Sequence, residues 1–252
     1  MQHLLHDMNP SVKFVLVTGS MLTLAFFFNP WTPAIFWLAI VFMQIFLSRM
    51  DWKLWCLMML PFTLGSFGYL WTTLVFGAHD NSEVIWTVAG ISVTEEQWQH
   101  ALSLSFRVMA LSTLSLMFAM TTDPVKFVMS LMQQLKLSPK LAYSVMVSYR
   151  FLPVLIDEFI QIQQAQRLRG VIVEKHWWQR LSNMRRLLLP MLAGAVRKAE
   201  RAAFAMEARG FTGAPRTEFF HPVTVTRTDI LMAVLFFMVL VGSCAGGILL
   251  SR

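Results

Sequence analysis

Charge is scarce in this chain. Asp, Glu, Lys and Arg make up 14% of its 252 residues, whereas a soluble domain carries roughly 25%. Cysteine is nearly absent. Cys56 and Cys244 both lie in apolar runs, which excludes a disulfide framework and a paired-cysteine metal motif. His3, His6, His79, His100, His176 and His221 are scattered without ligand spacing, so no metal site and no cofactor is expected. No Walker-type phosphate loop occurs, so any ATP hydrolysis is expected to belong to a partner. No cleavable signal peptide is expected either. The opening "MQHLLHDMNP" is polar, breaks at Pro10, and no small-residue cleavage site follows the first apolar run.

What is present is apolar. Hydrophobic residues make up 56% of the chain, with 18 Met, 9 Trp and 21 Phe, and the mean hydropathy is +0.56. This composition reads first as a membrane protein. The net charge of +7 then reflects basic residues gathered on the cytoplasmic side.

A spanning helix needs about 20 mostly apolar residues, with a range of roughly 17 to 25. Five segments qualify: residues 12–28, 31–47, 54–76, 101–120 and 230–250. Asn29-Pro30 makes a tight turn between the first two. Pro61, Gly65 and Gly68 lie inside the third, where neighbouring helices can satisfy the freed backbone. The fifth carries "GSCAGG", small enough for close helix packing.

The loops set the orientation. Arg49 and Lys53 lie between the second and third spans. The loop "GAHDNSEVIWTVAGISVTEEQWQH" has Asp80, Glu83, Glu95 and Glu96 and no Lys or Arg. The first loop is therefore expected inside and the second outside. Residues 121–229 return to the cytoplasm and hold sixteen of the twenty-one Lys and Arg. The N-terminus is then inside and the C-terminus outside.

The cytoplasmic stretch reads as three amphipathic helices. One opens with a Thr-Asp cap and Pro124 at its first position. The next opens with Ser138 and Pro139 and ends at Gly170. The last runs over about 177–209 and ends at Gly210. Pro153 and Pro190 each predict a kink or a short break.

The last two helices end alike. "AQRLRGV" spans 165–171 and "AMEARGF" spans 205–211. Arg169 and Arg209 each complement the negative end of a helix dipole, and glycine then stops the helix. The second helix is small-sided, with Ala193, Ala195, Ala199, Ala202, Ala203, Ala205 and Ala208. An alanine flank with a terminal Arg suits end-first insertion into a partner's pocket. The planar guanidinium fork binds carboxylate or backbone carbonyls in fixed geometry.

Other charged residues have simpler readings. Arg107, two turns into the fourth span, is expected to snorkel to the outer interface, with a helix–helix hydrogen bond as the alternative. Asp157 and Glu158 are expected to pair with basic neighbours. Glu200 is expected to pair with Arg197 at i,i+3, and Glu207 to be solvated or paired across helices. Met129, Met132, Met146, Met184, Met191 and Met206 fit either an adaptable binding surface or packing filler.

Several stretches together resemble the transmembrane T component of energy-coupling factor (ECF) transporters, the CbiQ type. "HDMNPSVKF" resembles that family's opening His-x-x-x-Pro-x-x-Lys. "FRVMALSTLSLMFAMTTDPVKF" resembles its last span before the coupling region, with a Thr-Thr-x-Pro exit. "YRFLPVLIDEFIQIQQAQRLRG" and "PMLAGAVRKAERAAFAMEARGF" resemble its two coupling helices, which end in Ala-Arg-Gly. The second ending is intact as Ala208-Arg209-Gly210. The first has Leu168 before Arg169-Gly170.

The resemblance implies an all-α membrane protein with about five transmembrane helices. A cytoplasmic coupling region of long amphipathic helices is inserted before the last span. The implied division is 1–120, 121–228 and 229–252. It further implies two ABC ATPase subunits, which would hydrolyse the ATP, and a substrate-binding S component, in a bacterial inner membrane. The cargo would be a vitamin or a transition metal. Arg169, Gly170, Ala208, Arg209 and Gly210 would dock the ATPases, supported by Ala165, Arg167 and Ala205. Two other classes compete. A stand-alone secondary transporter would place its site at broken helices or buried charges near the midplane, often in inverted repeats, and almost no intramembrane charge and no hydropathy repeat is visible. A nucleic-acid binder would show aromatic stacking platforms among its basic residues, and none is evident, so no nucleic acid is expected.

Overall fold

The structure is a computed structural model. It describes residues 4–27, 29–48, 51–76, 84–88, 91–170, 177–211, 219 and 222–250; side chains are described in the same ranges except 4, 76, 84–88, 91–93 and 177–186. In chain order the elements are α1 (Leu4–Asp7), α2 (Pro10–Phe26), α3 (Trp31–Leu47), α4 (Trp52–Phe76), β1 (Val84–Val88), β2 (Ile91–Thr94), α5 (Glu95–Thr121), α6 (Pro124–Gln134), α7 (Pro139–Leu168), α8 (Trp177–Ala208) and α9 (Arg227–Leu250). The protein is an all-α membrane protein with one small hairpin.

Helices α4, α5 and α9 are long and apolar enough to cross a membrane. Helices α2 and α3 are also apolar, at 17 residues each. That is the lower edge of the spanning range, about 26 Å of rise. Pro61 sits inside α4 without ending it. Pro153 and Pro190 likewise lie inside uninterrupted helices, so of the expected kink or short break no break occurs.

The acidic loop holds a hairpin that was not anticipated from the sequence. β1 and β2 pair antiparallel, with a register irregularity between Val84 and Trp86. Asp80 and Glu83 lie outside the described residues. The fourth span starts at Glu95, six residues earlier than expected. Its start is a capping box: Thr94 accepts from the Gln97 N–H, and Gln97 accepts from the Thr94 N–H. Glu95 and Glu96 in the first turn suit the positive helix end.

The chain divides into two compact units, residues 1–130 with 223–252, and residues 131–222. The first has one apolar core. Phe36, Ile40, Ala110 and Leu114 are wholly buried there, with Leu24, Met43, Met232 and Phe236 around them. Phe36 meets Phe236 edge-on at 6.2 Å. The small-residue end of α9 lies against α3, with Gly246 near Ile35 and Gly247 against Thr32.

Polar side chains link the helices inside this core. Ser66 of α4 and Ser105 of α5 share a 2.6 Å hydrogen bond. Thr113 of α5 accepts from Trp37 Nε1 at 3.1 Å, and its carbonyl accepts from Gln44 at 3.4 Å. Arg107 donates to the Phe27 carbonyl at the end of α2. The helix–helix hydrogen bond expected as the alternative is formed.

Candidate partner-docking site

The second unit is built on α7 and α8. Ser138 and Pro139 begin α7, with Pro139 at its first position. Asp123 caps α6 by accepting from the N–H groups of Val125 and Lys126 at 2.8 and 3.3 Å.

Two side-chain contacts fix how α7 and α8 run. Glu158 of α7 accepts from Lys198 of α8 at 2.6 Å. Tyr143, near the start of α7, packs edge-on against Phe211, just past the end of α8, with ring centroids 5.4 Å apart. Early residues of one helix thus meet late residues of the other, so the pair is antiparallel. Gly194 makes the close approach possible: a Cβ there would stand 2.5 Å from Glu158 Oε1. Of the alanines of α8, Ala195 and Ala202 are half-buried on the same face as Gly194 and Lys198, while Ala193, Ala199, Ala203, Ala205 and Ala208 are exposed.

The two Arg-Gly endings lie at opposite ends of this pair. Each Arg is eleven residues beyond its helix's member of the Glu158–Lys198 bridge, an arm of about 17 Å. The local geometry is nearly the same at both tips. Arg169 donates its N–H to Ala165 O at 3.2 Å, and Gly170 to Arg167 O at 3.1 Å. Arg209 donates to Met206 O at 3.1 Å, and Gly210 to Glu207 O at 2.9 Å. Phe211 closes the second tip by donating to Met206 O at 3.0 Å. Gly170 and Gly210 both have φ +77, the left-handed conformation that ends a helix without a Cβ penalty.

Both tips face solvent. Ala165, Arg167, Arg169, Gly170, Ala205, Ala208, Arg209 and Gly210 are all exposed, and Leu168 is 90% exposed. Along α7, Leu141, Val145, Tyr149, Leu152, Ile156 and Ile160 are exposed too. Their spacing of three and four places them on one helix face.

The remaining candidates resolve simply. Glu158 pairs with Lys198. No Arg197–Glu200 pair forms among the described residues, and Glu207 is exposed. Met132 is buried, and Met129, Met146, Met191 and Met206 are half-buried, while the side chain of Met184 lies outside the described residues. Among the described residues no cluster of His, Cys, Asp and Glu suits a metal ion. Gly194, Tyr143 and Phe211 were not singled out by sequence. Their partners lie far along the chain.

A family model described as "CbiQ: Cobalt transport protein" matches residues 1–221. Among similar curated proteins is an "Energy-coupling factor transporter transmembrane protein EcfT" of Streptococcus thermophilus. It is 26% identical over 230 residues, covering 85% of this chain and 84% of the relative. The protein of the same name from Limosilactobacillus fermentum is 26% identical over 251 residues, covering 93% and 92%. That from Thermotoga maritima is 27% identical over 215 residues, covering 80% and 74%.

Proposed function

Because this chain belongs to the CbiQ family of transport proteins, we propose that it is the transmembrane coupling component of an ECF-type ABC importer. It joins two ABC ATPase subunits to a substrate-binding S component, and it hydrolyses no ATP itself. The cargo is a vitamin or a transition metal ion, held by the S component. Residues 121–228 form the cytoplasmic coupling region, between spans within 1–120 and the last span within 229–252. The N-terminus lies inside and the C-terminus outside, as the sixteen basic residues of that region favour.

One observation carries the reading: two exposed Arg-Gly tips of like geometry stand at opposite ends of one antiparallel helix pair. Two similar sockets on a dimer of ATPases suit two similar plugs. Arg169 and Arg209 enter those sockets, with Gly170 and Gly210 ending each helix so that the guanidinium leads. Ala165, Arg167, Ala205 and Ala208 line the plugs. The open alanine flank of α8 lets a groove wall come close, and the apolar face of α7 offers a surface to the S component.

The test is purification in mild detergent after co-expression with the ATPase and S subunits. The wild-type chain should carry both ATPases, whereas Arg169→Ala and Arg209→Ala should each insert normally and lose ATPase retention. Full retention and full uptake in both variants would rule the docking role out.

A further inference from the structure

The connections between the two units leave and re-enter the first unit at places held by one short stretch, residues 5–14. Lys13 is 2% exposed. Its ammonium donates to the Leu5 carbonyl at 2.5 Å, the Thr121 carbonyl at 3.2 Å and the Thr121 hydroxyl at 3.0 Å. Three N–H donors meet three acceptors, which is what a buried ammonium requires. The Thr121 hydroxyl gives its own proton to the Met117 carbonyl, so its lone pairs are open to Lys13. Thr121 is the last residue of α5, which has no basic residue in its last turn. Lys13 supplies that positive charge from another helix.

The same stretch holds the chain a few residues further on. Ser11 donates to Ser130 through their hydroxyls at 2.7 Å. The rings of Phe14, Phe118 and Phe127 cluster with centroids 5.2 to 6.0 Å apart. On the return, the Asn9 N–H donates to Asp229 Oδ1 at 2.9 Å, and the Asn9 amide to the Thr224 carbonyl at 3.4 Å. The other Asp229 oxygen accepts from the Thr226 N–H at 2.7 Å.

We propose that residues 9–14 form a clamp with Lys13 as its positioning residue. The clamp holds residues 121–130 and 224–229 in fixed register with the spanning helices. A stroke arriving along those two connections then moves the membrane bundle instead of being lost in slack. The proposal rests on the coupling role above. It adds that the N-terminal stretch is the part through which the stroke reaches the membrane, and that it stays closed throughout the cycle.

Two variants test it in the complete complex, reconstituted in liposomes with the ATPases and the S component. The cargo probe is radioactive cobalt(II) or a tritiated B-group vitamin, according to the S component used. Lys13→Met should keep ATP hydrolysis while uptake falls about tenfold. Oxidising Ser11→Cys/Ser130→Cys should close a disulfide across the clamp. That bond should leave uptake intact in the otherwise wild-type chain and restore it in the Lys13→Met chain, which loss of fold alone would not allow. Lys13→Met transporting at the wild-type rate, or a disulfide that stops uptake, overturns the clamp. If Lys13→Met does not insert, the disulfide arm alone decides. In the purified full chain without partners, Lys13→Met should also speed amide exchange about tenfold at 121–130 and 224–229 and leave α3 unchanged. That arm reports on the clamp even if the wild-type chain retains no ATPase, the result that would sink the coupling role instead.

Discussion

Gly247 of α9 lies directly against Thr32 of α3: a Cβ added at Gly247 would stand 1.9 Å from the Thr32 hydroxyl oxygen and 3.0 Å from its Cα. The backbone atom cannot retreat without moving the helix. Gly247→Ala should therefore destabilise the α3–α9 contact by about 1–3 kcal/mol. Thermal unfolding in detergent would show a lowered midpoint. Gly242→Ala and Gly19→Ala, where nothing lies within 4 Å, are the controls and should not lower it, since alanine favours a helix interior over glycine.

The two tip glycines face open space, yet both need φ +77. Any effect of substitution there is conformational rather than steric. Gly210→Ala should fray the last turn of α8 at a cost of about 1–2 kcal/mol. Gly210→Asn should cost less, since Asn tolerates this conformation. Amide exchange at Arg209, Gly210 and Phe211 should rise in that order of severity.

The bridge between Glu158 and Lys198 is half-exposed, with side chains 22% and 36% accessible. After screening by solvent it should contribute no more than about 0.5–1 kcal/mol. Glu158→Lys should open the α7–α8 pair, and Glu158→Lys with Lys198→Glu should close it again. A distance probe at the Tyr143 end would follow both. Gly194→Ala should also weaken the bridge, because the new methyl meets only the movable end of Glu158.

The Trp37–Thr113 hydrogen bond joins α3 to α5 within the bundle. Single hydrogen bonds between membrane helices average only about 0.6 kcal/mol. Thr113→Val should therefore barely shift unfolding, while the Trp37 emission changes as its indole N–H loses its acceptor. A shift in stability of several kcal/mol would show that Thr113 acts through more than this bond.

What the sequence made legible were features written within a few residues. The bounds of α3 follow from a mostly apolar run between Pro30 and Ser48. Asp123 and Pro124 announce α6, and Gly170 and Gly210 mark the ends of their helices. The Gly-rich end of α9 forecast close packing, though not the helix it would meet. The capping box at Thr94 and Gln97 is written just as locally, within four residues. Lys13 ends the opening His-x-x-x-Pro-x-x-Lys, yet its bonding partners are not written there. Leu5 is eight residues from it and Thr121 is 108 residues away, so no local pattern reveals that one buried cation serves both. The antiparallel course of α7 and α8 depends on the equally distant pairs Tyr143–Phe211 and Glu158–Lys198.

The bridge at Glu158 and Lys198 stands midway between two tips, with eleven residues on either side. Equal and opposite pushes at the tips of such a lever cancel as translation and add as torque about its centre. Motors seated on Arg169 and Arg209 would thus twist the pair without displacing it, and the turning axis would pass close to Gly194. Labels placed there should scarcely travel while those at the tips sweep an arc.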